Sequence, residues 1–364
     1  MPRMSGIYVM NNKLYLIWLP VFALALASCA TSTPMINVVC EENNVGNSVV
    51  KWETAPIIEG SVSVYASLNP NSQDRTMPVG QANIADQRMT IVIDNPMQRY
   101  YYTMVFSKEY NIKVATRNVN IPTIQNFRDL GGYPSYQNQK NTRWGMLYRS
   151  ARLDHGEVDC TQQLKDMGIK TIIDLRMPDE INHDSKLNKE FKVINIPISN
   201  KKVDELLHQI ERLEANTDSV YNKVALLNRD FITSHTRDIK KIFNVLLDKN
   251  IYPAIIESTY GTRRAGLISA LILTALGVDN NTIEDDYLLS NMYLNIPSFV
   301  RSAYSLPPSA QEALTVLLSA RPEFYRSSIS EMYRQYGSVA QFLHKAVGLN
   351  EKEIKKLQEI LLDK

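Results

Sequence analysis

The sequence predicts an α/β domain preceded by an all-β sandwich, and three observations carry that expectation. At 364 residues the chain exceeds the roughly 250 to 300 residues at which single cores stop growing, so two domains are expected. Between Ile36 and Val119, short runs rich in Val, Ile, Tyr and Thr alternate with turn residues. Further on, a helical stretch from Leu164 to Met167 stops at Gly168 and feeds the apolar run Lys170 to Arg176, the pattern of a helix leading into a buried strand.

The first 28 residues read as a targeting segment. Lys13 precedes an apolar run from Leu14 to Ala27 that is too short to cross a bilayer as a mature helix. Met10 could itself begin such a segment, leaving residues 1–9 outside the translated chain. Small residues immediately before Cys29, in Leu26-Ala27-Ser28-Cys29, resemble a bacterial lipobox. The resemblance implies cleavage before Cys29, its lipidation, and a protein anchored on the non-cytoplasmic side of a bacterial envelope membrane. An ordinary secretory signal with an incidental Cys is the alternative. Residues 29–35 are expected to form a polar tether. The remaining cysteines, Cys40 and Cys160, are too few for a disulfide framework and are expected to pack in apolar surroundings.

Charge narrows the function classes. Forty basic residues against 38 acidic ones leave a net charge of +2, with no Lys/Arg block dense enough to track a nucleic-acid backbone. Neither a cofactor nor a metal site is expected.

In the module at 36–119, strands are expected at Ser48–Glu53, Ser61–Ser67, Met89–Ile93, Tyr100–Ser107 and Ile112–Val119. The clusters at Asn69-Pro70-Asn71 and Asp94-Asn95-Pro96 supply turns. Trp52 on an early strand and Tyr100 to Tyr102 on a late one are the candidate core aromatics, and with them the module resembles a fibronectin type III domain. It carries no cluster that suggests chemistry. It could be a spacer, a docking surface for a protein partner, or an appendage that shields the next domain.

The second module, 120–364, opens with Asn126-Phe127-Arg128-Asp129-Leu130-Gly131-Gly132-Tyr133, then Leu147-Tyr148-Arg149-Ser150-Ala151 and Ile172-Ile173-Asp174-Leu175-Arg176. Two adjacent glycines permit a sharp turn, and a strand ending in Asp-Leu-Arg puts an acid and a base at the carboxyl edge of a sheet, where open α/β folds bind ligands. In this order the three motifs resemble the tyrosine-phosphatase family with bacterial and fungal dual-specificity and phosphoinositide-cleaving members. Ile283 to Asn291 and the tail from Tyr336 to Leu349 continue the likeness over residues 122–362. The resemblance implies a central, mostly parallel sheet with flanking helices.

It also implies a phosphate loop of the form H-C-x-x-G-K-D-R-T-G between the strand Tyr252–Ile256 and the helix Ala265–Leu276, which is apolar all round. Here the loop reads Glu257-Ser258-Thr259-Tyr260-Gly261-Thr262-Arg263-Arg264-Ala265-Gly266. Backbone N–H groups wrapped around an anion, a helix N-terminus and an Arg six residues after the nucleophile position form a phosphate cradle. Residues 258–264 are therefore the expected phosphate-binding set. Ser258 replaces the nucleophilic Cys, Glu257 the His, Thr262 and Arg263 the Lys and Asp, and Ala265 the Thr.

An alcohol ionises far less readily than a thiol and needs an adjacent base. The five histidines, His155, His183, His208, His235 and His344, all fall in other segments. Glu257 could pair with Arg263 or Arg264 and close the pocket, or Arg263 could strengthen an anion site. Asp174 occupies the family's general-acid position, and could equally be a buried partner of Arg128, Arg149 or Arg176. Tyr260 could stack on a ligand or fill its own pocket. Helical patterns at Val203–Leu213 and Ile239–Leu247 lie where the family has a lid.

Three readings stand at this point. The first is a pseudophosphatase that binds a phosphorylated or other anionic ligand. The second is a weakly active phosphoric-monoester hydrolase, and the third an interaction protein acting through its sandwich.

Overall fold

The structure is a computed structural model that describes residues 33–92, 94–95, 98–137, 139–154 and 160–363. The expected signal segment, the lipobox with Cys29, and residues 30–32 of the tether lie outside these residues. Met35, expected at the end of the tether, already begins the first strand.

The N-terminal module contains β1 (Met35–Glu42), β2 (Ser48–Ala55), β3 (Ser61–Ser67), β4 (Gly80–Asn83), β5 (Arg88–Ile91), β6 (Tyr101–Phe106) and β7 (Tyr110–Val114). They form two antiparallel sheets of order β1-β2-β5 and β4-β3-β6-β7. Val50 and Trp52 from one sheet meet Val62, Val64, Met104 and Phe106 from the other in a single core, the arrangement of a sandwich. The Trp52 indole meets Phe106 edge-on at 6.1 Å and donates to the Ile84 carbonyl at 2.7 Å, while the buried Tyr102 hydroxyl bonds Ser48 Oγ at 2.9 Å. Cys40 packs in this core and Cys160 in the next domain, neither in a disulfide.

β1 and β4 were not expected from the sequence. The run expected to continue to Val119 leaves the sheet at Val114 because it turns to join the second module, through an isolated bridge between Asn118 and Arg128.

In that module β8 (Arg128–Asp129), β9 (Leu147–Ser150), β10 (Thr171–Asp174), β11 (Lys192–Asn195) and β12 (Ala254–Glu257) form one sheet of order β11-β10-β12-β9-β8. The pairs among β11, β10, β12 and β9 are parallel, and β8 runs antiparallel at the edge. The helices around the sheet are α1 (Thr161–Asp166), α2 (Leu187–Glu190), α3 (Lys201–Glu211), α4 (Thr217–Ser234), α5 (Thr236–Leu246), α6 (Arg264–Ala275) and α7 (Asn280–Leu288), followed by α8 (Ser290–Tyr293), α9 (Ile296–Phe299), α10 (Pro308–Leu318), α11 (Pro322–Tyr336), α12 (Val339–Lys345) and α13 (Glu351–Leu361). This is a mixed α/β fold with a mostly parallel sheet.

The apolar sequence of α6 makes it the central helix, buried on nearly every side. Two of the expected helical patterns became α3 and α5, and α4 lies between them. Val203 and Leu206 of α3, Val220 and Val224 of α4, Leu314 and Leu317 of α10 and Phe324 of α11 make a second apolar layer over the end of the sheet that carries the loop.

The two modules meet through buried groups. Trp144 adds to the sandwich core, the Tyr101 and Tyr148 hydroxyls share a hydrogen bond of 2.7 Å, and Arg99 pairs with the buried Asp129 at 3.3 Å.

Candidate functional site

β12 sits in the middle of its sheet, and pairing places Glu257 level with Asp174 of β10 on one side and Ser150 of β9 on the other. The loop Ser258–Arg264 therefore leaves the carboxyl edge at a point flanked by two other strand ends. Gly261 turns the loop at φ +69°, and a Cβ there would come within 2.7 Å of the Ser150 carbonyl oxygen. Only glycine combines that angle with that approach.

The carbonyl side of the loop is pinned from behind. Asn126 Nδ2 donates to the Tyr260 carbonyl at 3.0 Å. Arg149 donates to the Gly261 carbonyl at 2.7 Å and to that of Thr262 at 3.3 Å. With those oxygens held outward, the peptides turn their N–H groups the other way. Among the described residues no acceptor pairs with the N–H of Thr259, Tyr260, Thr262, Arg263 or Arg264. Successive unpaired N–H groups at the start of a helix form a cradle for an anion.

The pinning groups are themselves held by Asp286. Its carboxylate accepts from Arg128 Nε at 2.9 Å, from Arg149 at 2.7 Å and from the Tyr133 hydroxyl at 2.9 Å. Both guanidiniums have fully buried side chains. Burial alone would raise the Asp286 carboxyl, but the two arginines outweigh it and hold it far below the carboxylate range. Burial and the neighbouring Arg128 bring Arg149 down to about 10. The motifs around Asn126, Arg149 and Asp286 are thus the loop's rear support.

The reacting positions look different. Ser258 is buried, and its Oγ accepts from Ala265 N–H at 3.4 Å; no histidine or carboxylate hydrogen-bonds it among the described residues. Glu257 does not close the pocket against Arg263 or Arg264. It turns to the other side of the strand end, accepting from Leu153 N–H at 2.9 Å and lying 3.4 Å from Arg176. Asp174 has gone to the same arginine rather than to Arg128 or Arg149: it accepts from Arg176 Nε at 3.0 Å and from a terminal nitrogen at 2.8 Å. Asp154 is the third acid on Arg176, at 2.7 Å. Burial and the Asp174 charge push Glu257 well above its usual range, against the pull of Arg176.

Arg264 is inside the site but engaged. It donates to both Glu180 oxygens, at 2.7 and 2.6 Å, to Thr259 Oγ1 at 2.8 Å, and to the carbonyls of Leu175 at 3.1 Å and Ile198 at 3.0 Å. The Thr259 hydroxyl also bonds Glu180. Of the five donors in a guanidinium, Nε is the one without a protein acceptor among the described residues. A bidentate clamp on an anion through the terminal nitrogens requires Glu180 or Thr259 to let go. Burial would raise Glu180, but its bonds to Arg264 dominate and lower it.

Tyr260 fills its own pocket, edge-on to Phe299 at 5.5 Å and packed on the apolar layer of α3, α4 and α10, and burial raises its hydroxyl to about 12. Thr262 is buried and Arg263 half-buried. Both line a cavity of about 30 Å³ between the loop and helices α4, α7, α10 and α11, as do Ser258 and Arg264.

Three residues of the site did not stand out in the sequence. Glu180 had a readable turn, with Pro178 starting it, but nothing announced its reach to Arg264. Asn228 lies mid-helix in α4 without a motif. Asp286 stood inside a quoted motif that gave no hint of its partners.

A family model described as "Tyrosine phosphatase family" matches residues 119–363. A Cupriavidus necator protein provisionally named a tyrosine-protein phosphatase is 24% identical over 245 residues, which is 64% of this chain and 85% of that protein. Among solved structures, the Siw14 catalytic core aligns with 60% of this chain and 98% of its own at 15% identity and a TM-score of 0.30. TpbA of P. aeruginosa aligns with 52% and 89% at 13% identity and a TM-score of 0.24. At those scores the fold rests on the strand order described above.

Proposed function

The chain belongs to the tyrosine phosphatase family, and from that premise we propose that it is a pseudophosphatase, a member that holds a phosphorylated or other anionic ligand and does not cleave it. The observation that carries this reading is the split within the loop. Five of its N–H groups have no acceptor among the described residues, while the hydroxyl of Ser258 at the nucleophile position has there one weak hydrogen bond, from a backbone amide. A thiol near pKa 8.5 can be brought to a thiolate by such a loop. An alcohol needs a base within about 3 Å, and the two acids that flank Ser258 in the sheet, Glu257 and Asp174, are both bound to Arg176.

The same reading extends to the rest of the chain. The lipobox ending in Cys29 supports a lipid anchor, and with it a place on the non-cytoplasmic side of a bacterial envelope membrane. The order β1-β2-β5 against β4-β3-β6-β7 supports a fibronectin type III-like module as a docking surface or rigid spacer.

The test is release of phosphate from p-nitrophenyl phosphate and from the small alkyl ester glycerol 2-phosphate by wild type, Ser258→Cys and Arg264→Ala. Wild type is expected at the uncatalysed rate. Wild-type turnover that Arg264→Ala abolishes makes the protein an enzyme and ends the proposal.

A further inference from the structure

Arg263 and Asn228 are two groups in the cavity beside the loop that the reading above leaves without work. Arg263 stands where the resemblance has an acid. It donates to Asn200 Oδ1 at 2.8 Å, and Asn200 in turn donates to Asp204 at 3.0 Å, so the nearest acid of α3 reaches it only through an amide. Glu180 is taken by Arg264. No carboxylate lies within salt-bridge distance of Arg263 among the described residues, and burial together with Arg264 brings its guanidinium down to about 10. A half-buried cation held by a neutral amide and by no carboxylate is costly.

Asn228 faces the same cavity from α4. It is 1% exposed, and neither its Nδ2 nor its Oδ1 has a hydrogen-bond partner. The Tyr287 hydroxyl lies beside it, close enough for the carboxamide to favour the ionised phenol, yet among the described residues no atom pair meets hydrogen-bond distance and angle. A buried carboxamide short of hydrogen bonds at both ends carries an uncompensated desolvation cost, and native proteins seldom leave one without cause.

Val203, Val224, Leu317, Leu318 and Phe324 give the wall an apolar side, beside the polar Asn200, Thr262 and Ser319, and the space is about 30 Å³. A cavity that accepts a benzene ring is about 150 Å³. The space beside the loop suits a group of a few heavy atoms and is too small to enclose an aryl ring.

We propose that Arg263 and Asn228 select a compact oxyanion of the size of inorganic phosphate, seated between them and the loop's N–H groups, and that phosphotyrosine is excluded. This rests on the anion-holding reading of the loop and names its ligand class. Arg263 supplies the charge that the engaged Arg264 cannot, and Asn228 recognises an oxygen or its proton, since a carboxamide both donates and accepts.

The experiment is isothermal titration of the full chain with inorganic phosphate and, separately, with phosphotyrosine, on wild type, Arg263→Met and Asn228→Leu, with the melting temperature of each ligand-free variant. Phosphate is expected to bind wild type and to bind each variant at least tenfold more weakly. Phosphotyrosine is expected to bind none of the three. Asn228→Leu should melt no lower than wild type, because it removes a buried carboxamide short of hydrogen bonds, and Arg263→Met, which gives up only the bond to Asn200, should melt close to wild type; this separates lost recognition from lost folding.

Phosphate binding unchanged in both variants, with a folded protein, overturns the role of this pair and leaves the loop reading standing. Phosphotyrosine bound as tightly as phosphate overturns the size selection. Absence of phosphate binding in wild type overturns both. A variant that melts well below wild type shows the group to be a structural partner and overturns its assignment as a recognition residue.

Discussion

Two arginine–carboxylate clusters stand at the same sheet edge, and their stoichiometry is opposite. Behind the loop, Arg128 and Arg149 share Asp286. Beside it, Arg176 alone holds Asp174, Asp154 and Glu257. With two cations on one acid, the acid is held charged and the spare donors of Arg149 turn to loop carbonyls. With three acids on one cation, burial and the Asp174 charge drive Glu257 toward its neutral form. The first cluster shapes the loop; the second has absorbed the acids that could have served chemistry. The difference teaches that scaffold and catalysis separate cleanly at this site, because they draw on different clusters.

The largest expected effect breaks the first cluster. Asp286→Asn leaves two fully buried guanidiniums facing one another, and removing one partner of a buried ion network typically costs about 3–5 kcal/mol. Urea unfolding should show that loss, and phosphate binding should fall with it. A variant of native stability would mean that the cluster does not hold the loop.

Gly261→Ala comes next. A residue forced to φ +69° against the Ser150 backbone should cost about 1–3 kcal/mol and displace the loop, read as lower stability in urea together with weaker phosphate binding.

Glu180→Gln is smaller and sharpens the account of Arg264. The folded-state pKa of Glu180 is depressed, so its contribution is present above the unfolded value near 4.5 and is lost as pH falls through the folded value. The wild-type melting temperature should therefore drop across that acid window more steeply than that of Glu180→Gln, and freeing the Arg264 fork should tighten phosphate binding at pH 7. Weaker binding would make Glu180 a support that positions the arginine.

Glu257→Gln should have the mildest effect, of opposite sign. The folded pKa of Glu257 is raised, so its contribution is complete below the unfolded value and is lost as pH rises through the folded one. A neutral amide should match wild type in acid and melt higher than wild type at alkaline pH.

Much of this was legible in the sequence. The motifs at Asn126, Arg149 and Asp174 and the spacing from Ser258 to Arg264 announced the α/β fold and the place of the loop, because backbone cradles and buried strands leave local patterns. Trp52 and Tyr102 announced the sandwich core in the same way. Partnerships across the fold were not legible. Glu180 meets Arg264 across 84 residues, and nothing local distinguishes it from Glu257, for which such a pairing was one of the open alternatives. Asp174 paired with the Arg two residues along its own strand end rather than facing the cradle, a choice set by side-chain direction. β1 and β4 were missed although both alternate in exposure: β1 also carries the apolar Met35 and Val39 on its exposed face, and β4 is four residues, Gly80–Asn83, poor in strand formers.

The central claim is that the loop's N–H groups hold an oxyanion without Ser258 attacking it. The most direct measurement is an amide chemical-shift titration of the isotopically labelled protein with inorganic phosphate. The account predicts saturable shifts concentrated at Thr259, Tyr260, Thr262, Arg263 and Arg264. Those five amides remaining still at millimolar phosphate would contradict it.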